Sequence, residues 1–377
     1  MIELGLLIGG IKRLPLVARI LLSRGVDGSN AVHAMRAIDW LVYAEAVTDH
    51  RGFAHSLHFV RGWLPGYPET SGYIVPTLLL AAHRHRRPDA EAAALRAWDW
   101  LVATQKADGS FADLAGKSQV FDTGQILIGA NFLARRGNEA ACVVALKAAA
   151  WLVGQQAATG CFETNSYNNR PHAYYSRVGA ALVDTGDWSG NASYREAGTR
   201  NLSWTLAQQE PTKGWFRHMS FADHAPFSHT IVYTLEGLLA GYHLTGDQAC
   251  LDGVLLCATS LSAAIACHGG TIRSQYEEGF KALDKQICVT GLSQWSALCF
   301  RLTRLGYTQF AEQAESSLAA ARRLQIQSNS PDIGGALPGS VPASGRYMRF
   351  ALPNWGVKFF LDALLEAEDA SNLPHLI

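Results

Sequence analysis

A spacing that recurs along the chain, Trp-x4-Gln-x3-Gly-x-aromatic, restricts the fold more than any other feature of the sequence. Trp100, Gln105, Gly109 and Phe111 carry it, and Trp151, Gln156, Gly160 and Phe162 repeat it. Trp204, Gln209, Gly214 and Trp215 follow with a slightly altered loop. Weaker copies are Trp40 with Glu45, Gly52 and Phe53, then Leu261 with Ala266, Gly270 and Ile272, then Arg322 with Gln327 and Gly334. A period of about fifty to sixty residues suits helical-pair repeats. In each unit the Trp lies on a helix that stops near the Gln. The Gly supplies a left-handed residue for that stop, and the aromatic plugs the gap behind it.

A second helix follows in each unit, apolar or small on nearly every side, so other helices must enclose it. The clearest is Ser118 to Arg135, SQVFDTGQILIGANFLAR, where Asp122 and Thr123 take the place of an N-cap. The other entrances are Glu69-Thr70-Ser71-Gly72, Tyr175-Ser176-Arg177, Ser228-His229-Thr230, Val289-Thr290-Gly291 and Pro353-Asn354-Trp355. Gly129, Ala130, Gly179, Ala180 and Gly237 allow neighbouring helices to approach closely. Six outer and six inner helices can close a circle, so the expected class is all-α, an (α/α)6 toroid. Residues 31–377 form that single domain, and residues 1–30 form an apolar helix packed on it or on a membrane surface. In such a ring the inner N-termini open on one face, where their dipoles add a positive potential. The long connections return to the same face and make an aromatic-rich cleft there.

Composition narrows the function. Of 377 residues, 17% are charged against 48% hydrophobic, and Lys plus Arg equals Asp plus Glu at 32 each. The balance argues against a nucleic-acid partner, which would call for a basic field. Seven scattered cysteines without a CxxC pair read as buried thiols of a reducing compartment, the cytoplasm. The first 24 residues are apolar but broken by Lys12, Arg13, Pro15 and Arg19, neither a signal peptide nor a spanning helix. They suggest peripheral contact with the inner membrane. Without a Walker loop, GxGxxG or GxSxG, nucleotide and serine-esterase chemistry are not indicated, and neither a cofactor nor a metal is expected.

The Gln-x3-Gly-x-aromatic units resemble the prenyltransferase and squalene-oxidase repeat of α/α-toroid proteins. The longer strings YPETSGYIVPTLL, VFDTGQILIGA, YYSRVGAAL, FSHTIVYTLEGLL and YMRFALPNWGVKFFLDALL are similar to a toroid group found among bacterial exopolysaccharide biosynthesis proteins. That similarity runs from about Arg36 to about Glu368 and implies a saccharide substrate. Isoprenoid chemistry does not carry over, because the chain holds no DxDD acid motif and no DDxxD metal motif.

Glu69 and Asp122 stand at corresponding positions of the first two inner helices. Helices pack about 8 to 10 Å apart, so the two carboxylates can flank a glycosidic bond as acid and base; alternatively each caps its own helix. Tyr174, Tyr175 and Arg177, with His229 at the fourth entrance, form a second constellation. It fits proton abstraction beside a uronate carboxylate, as in a lyase or C5-epimerase, unless Arg177 pairs with a buried carboxylate. Glu236 and Lys358 are charges on otherwise buried helices and must line a wet lumen or be paired. Arg346, Tyr347 and Asn354, with Trp63 and Tyr67, complete the candidate contacts to an oligo- or polysaccharide. The leading expectation is glycoside hydrolysis with Glu69, Asp122, Tyr175 and His229 as candidate catalytic groups. A uronate lyase or epimerase and a non-catalytic sugar or lipid-linked-sugar binding toroid are the alternatives.

Overall fold

A computed structural model describes residues 28–368. The apolar amino-terminal segment and the carboxy-terminal tail lie outside the described residues, and with them the membrane-contact expectation. Twelve α-helices run through the described residues: α1 (Asn30–Ala46), α2 (Pro68–His85), α3 (Pro88–Thr104), α4 (Val120–Ala134), α5 (Glu139–Gln155), α6 (Ser176–Ser189), α7 (Ala192–Leu206), α8 (Ser228–Thr245), α9 (Gln248–Cys267), α10 (Val289–Arg304), α11 (Ala311–Leu324) and α12 (Asn354–Ala367). Strands are short: β1 (Ser56–His58), β2 (Gly62–Trp63) and β7 (Ala351–Pro353) form one sheet. Two further ribbons pair β3 (Tyr276–Glu277) with β4 (Lys281–Ala282), and β5 (Ile287–Cys288) with β6 (Ser340–Val341).

The chain divides into two compact units. One comprises residues 28–67, 77–97 and 285–368, and the other residues 68–76 and 98–284. In the second unit α4, α6 and α8 lie side by side, and α5, α7 and α9 pack on them respectively. Every residue of α4 is buried, whereas α5 buries one face only, as the alternation in the sequence requires. In the first unit α12 packs on α10 and α1, and α11 packs on α10.

The repeat glutamine has a specific task. Gln105 Nε2 donates to Gly109 O of its own turn at 3.1 Å and to Val144 O of α5 at 3.0 Å. Gln156 Nε2 does the same with Gly160 O and Ala197 O of α7, and Gln209 Nε2 with Gly214 O and Gly253 O of α9. One amide thus holds a tight turn and fastens it to the amphipathic helix of the next unit, satisfying carbonyls that burial would otherwise leave unpaired. In the first repeat Glu45 replaces the Gln and pairs with Arg96 of α3 at 2.7 Å. In the last repeat the expected Gln327 and Gly334 are corrected by two residues and one residue. The staple is Gln325, which donates to Gly335 O and to His33 O of α1. Gly109 and Gly335 have φ of +93° and +90°, which a side chain would strain.

Two expectations are revised, one at a helix entrance and one for the cysteines. Asp122 does not cap α4: Gln119 is the N-cap residue, and Asp122 lies in the first turn. Thr123 Oγ1 donates back to Gln119 O and accepts from Phe111 N, which fixes the entrance. Cys267 is exposed and Cys142 half-buried, so not all of the cysteines are core thiols.

Small residues let the buried helices touch. A Cβ on Gly237 of α8 would overlap Ser176 Oγ and the Arg177 backbone nitrogen of α6. Gly237→Ala is therefore expected to cost about 1–3 kcal/mol through overpacking, read as a lowered thermal midpoint.

Candidate active site

The amino-terminal turns of α4, α6 and α8, with residues 68–76 of α2, hold a cluster of ionisable and aromatic side chains in the second unit. Asp122 is fully buried, and Glu69 retains only 8% of its exposure. Asp122 Oδ1 accepts a hydrogen bond from Tyr167 Oη at 2.6 Å, the short length of a charge-assisted bond. Tyr167 comes from the loop between α5 and α6. Asn165, Asn168 and Asn169 fold that loop tightly by taking left-handed φ of 53°, 56° and 49°.

Tyr175 and His172 secure this loop. The Tyr175 hydroxyl accepts from Ser166 Oγ at 3.0 Å and from Tyr167 N at 3.1 Å. The His172 ring bridges Tyr167 O and Ser220 O, each at 2.9 Å. Burial, opposed by the hydrogen bonds from Ser166 and Tyr167 N, pushes the Tyr175 phenol far above its ordinary range. Tyr175, read from the sequence as a candidate proton carrier, thus has its hydroxyl bonded to the loop that delivers Tyr167. A cavity of about 270 Å³ opens beside the loop, with Arg170, Trp215, His218 and Ser220 among its lining.

Tyr174 is the neighbouring phenol. It is completely buried, and its hydroxyl has no hydrogen-bond partner among the described residues. Burial first, then Tyr175, Glu69, Asp122 and Tyr233, hold its ionisation well above the usual range, so it stays neutral. Phe121 stacks on Tyr175 at 5.3 Å and meets Tyr174 edge-on at 5.1 Å, giving the polar groups a rigid apolar wall.

Arg177, buried completely, donates from Nη1 to Glu236 Oε2 at 2.7 Å and from Nε to Gln125 Oε1 at 2.9 Å. Its guanidinium also lies 4.7 Å from the centre of the Tyr233 ring. His229 is 4% exposed and packs on Tyr233 at 4.2 Å between ring centres. The second unit thus brings together Glu69, Asp122, Tyr174, Tyr175, Arg177, His229 and Glu236. Sequence reasoning misses Tyr167, Gln125 and Tyr233. An aromatic inside an Asn-rich loop is the available signal for Tyr167.

The remaining candidates belong to the first unit. Lys358 is fully buried and bonded to Asp362 at 2.6 Å, and Asp362 also accepts from Thr77 Oγ1 at 2.7 Å. Of the two alternatives open for Lys358, a wet lumen or a buried pair, the structure shows the pair. Asn354 is buried and donates to Ala54 O at 2.9 Å, joining the start of α12 to the segment before β1. The Tyr347 hydroxyl accepts from Trp355 Nε1 at 2.7 Å. Trp63 packs 5.4 Å from Trp40 and donates to Asp332 Oδ1. Tyr67 precedes α2 with its ring 5.2 Å from His55, and Arg346 is exposed. Among the described residues no three His, Cys, Asp or Glu side chains converge as metal ligands do.

His55 supplies a pH prediction. Burial lowers its imidazole from 6.5 to about 4, because the folded state disfavours the charged ring. Above pH 6.5 the ring is neutral in both states and the effect is absent. Between 6.5 and 4 only the unfolded chain takes up the proton, so stability falls with pH by about 3 kcal/mol at this residue. Thermal midpoints between pH 7 and pH 4 should fall accordingly, and less steeply in His55→Phe.

No protein-family model matches the sequence, and no curated protein matches it. Solved structures do match. An unsaturated glucuronyl hydrolase from Bacillus sp. GL1, responsible for the degradation of glycosaminoglycan, gives a TM-score of 0.72 at 13% identity over 91% of this chain and 98% of that one. A cellobiose 2-epimerase from Bacillus thermoamylovorans gives 0.65 at 11% identity over 83% and 92%. A D-mannose isomerase gives 0.67 at 10% identity over 90% and 97%. At these identities the likeness establishes the fold, an all-α (α/α)6 toroid, as the repeat implied.

Proposed function

We propose that this protein is a carbohydrate-active enzyme that hydrolyses a glycosidic bond with Asp122 and Glu69 as the paired carboxylates. The observation that carries the reading is the Asp122 carboxylate, fully buried in the first turn of α4 and held by the Tyr167 hydroxyl at 2.6 Å, with Glu69 also buried in the first turn of α2. In the hydrolytic reading one carboxyl gives a proton to the leaving oxygen while the other activates water. The solved structures of similar fold support a saccharide substrate, since they are a glucuronyl hydrolase, a cellobiose epimerase and a mannose isomerase. The strings similar to those of exopolysaccharide biosynthesis proteins support a saccharide of exopolysaccharide metabolism.

A second reading, sugar epimerisation, is favoured by one feature. His229 sits buried against Tyr233 at the entrance of α8, where an imidazole can move a proton between carbon and solvent. Uronate lyase chemistry loses its main support, because the guanidinium that would neutralise the uronate is bonded to Glu236.

Tyr167→Phe tests the hydrolytic reading at its oriented carboxylate. A hydrogen bond to a charged group contributes about 1.5–3 kcal/mol. If that bond holds Asp122 in its working orientation, kcat/KM on an oligosaccharide should fall roughly 10- to 100-fold with little change in melting. Unchanged kinetics would remove Tyr167 from the mechanism.

A further inference from the structure

The charge of the cluster governs which sugars it accepts. We propose that the site takes a neutral sugar and discriminates against a uronic acid, an inference that rests on the carbohydrate reading above. Three carboxylates, Glu69, Asp122 and Glu236, stand at 8%, 0% and 4% exposure, against the single guanidinium of Arg177 in the cluster. That guanidinium is already bonded to Glu236 and Gln125. Arg170, the nearest basic side chain along the Tyr167 loop, is held at the surface by Asp223 at 2.6 Å. Even with one of Glu69 and Asp122 protonated, the cluster keeps a net negative charge. A carboxylate entering it meets repulsion where screening by water is weak.

Neutral hydroxyls meet the opposite situation. The Tyr174 hydroxyl and the Gln125 amide nitrogen are buried without hydrogen-bond partners among the described residues. Such groups are costly to leave unmatched. A sugar hydroxyl can accept from the Gln125 amide, exchange a hydrogen bond with the Tyr174 phenol, and donate to either carboxylate. A carboxylate group can only accept, and it would carry its own charge into a cluster that already holds three buried carboxylates. The substrate class therefore departs from the unsaturated glucuronyl group named for the hydrolase of similar fold.

The test is binding of matched, thio-linked disaccharides that resist cleavage. Gluco-, galacto- and manno-configured pairs would be used, one member neutral and the other oxidised to a carboxylate at C6 of the non-reducing sugar. Calorimetry at pH 7 should find at least one neutral member bound roughly tenfold or more tighter than its uronate, about 1.4 kcal/mol. That discrimination should shrink in Glu69→Gln or Asp122→Asn, because either change removes negative charge. Uronates bound as tightly as or more tightly than their neutral partners would overturn the proposal and leave the carbohydrate reading standing. So would a discrimination unchanged in both variants. Binding of no pair at all would overturn both.

Discussion

Asp122→Asn is expected to lower turnover by about 10²–10⁴ while leaving sugar binding largely intact. The amide is nearly the same size as the carboxylate and can still accept from Tyr167 Oη, so the hydrogen bond at 2.6 Å keeps a counterpart. What is lost is an exchangeable proton. Asp122 lies in the first turn of α4, where a negative charge favours the helix by about 0.3–1 kcal/mol, so the thermal midpoint should move little. A variant that melts with the parent, binds sugar and fails to turn over assigns chemistry to this carboxylate. Retained turnover would return Asp122 to the scaffold and make His229 the stronger candidate.

The largest expected loss of stability comes from Arg177→Met. Arg177 and Glu236 are both almost fully removed from water and bonded at 2.7 Å. Deleting the cation strands a buried carboxylate and leaves Gln125 Oε1 without its donor, so about 3–5 kcal/mol should be lost. The double variant Arg177→Met with Glu236→Leu should recover most of it, because an apolar pair of similar volume needs no compensating charge. Thermal midpoints of the two singles and the double make a complete cycle. If the double variant were no more stable than Arg177→Met, the pair would not be the main source of the loss.

The fold is legible because its signals are local. Gln105, Gln156 and Gln209 sit four, four and five residues before a left-handed glycine, and the amide must reach both its own turn and the next helix. Where loop lengths drift the register blurs: the spacing points to Gln327 in place of Gln325 because no Trp anchors the last unit. The site is only partly legible. Glu69, Asp122 and Arg177 can be found because charges at the mouths of apolar helices stand out. Asp122 reads as a cap in sequence, because its bond to Tyr167, 45 residues away, leaves no mark on the local pattern. Lys358 and Asp362 carry a readable signal, since residues four apart share a helix face. That pairing accounts for the buried lysine before any lumen is invoked.

Mass spectrometry of the products formed from a neutral oligosaccharide in oxygen-18 water tests the central claim most directly. Hydrolysis predicts two fragments whose masses sum to that of the substrate plus one labelled water, with the label absent when Asp122→Asn replaces the parent protein. Fragments that gain no water would indicate elimination. An unchanged mass with a rearranged sugar would indicate epimerisation. Either result would contradict the paired-carboxylate account.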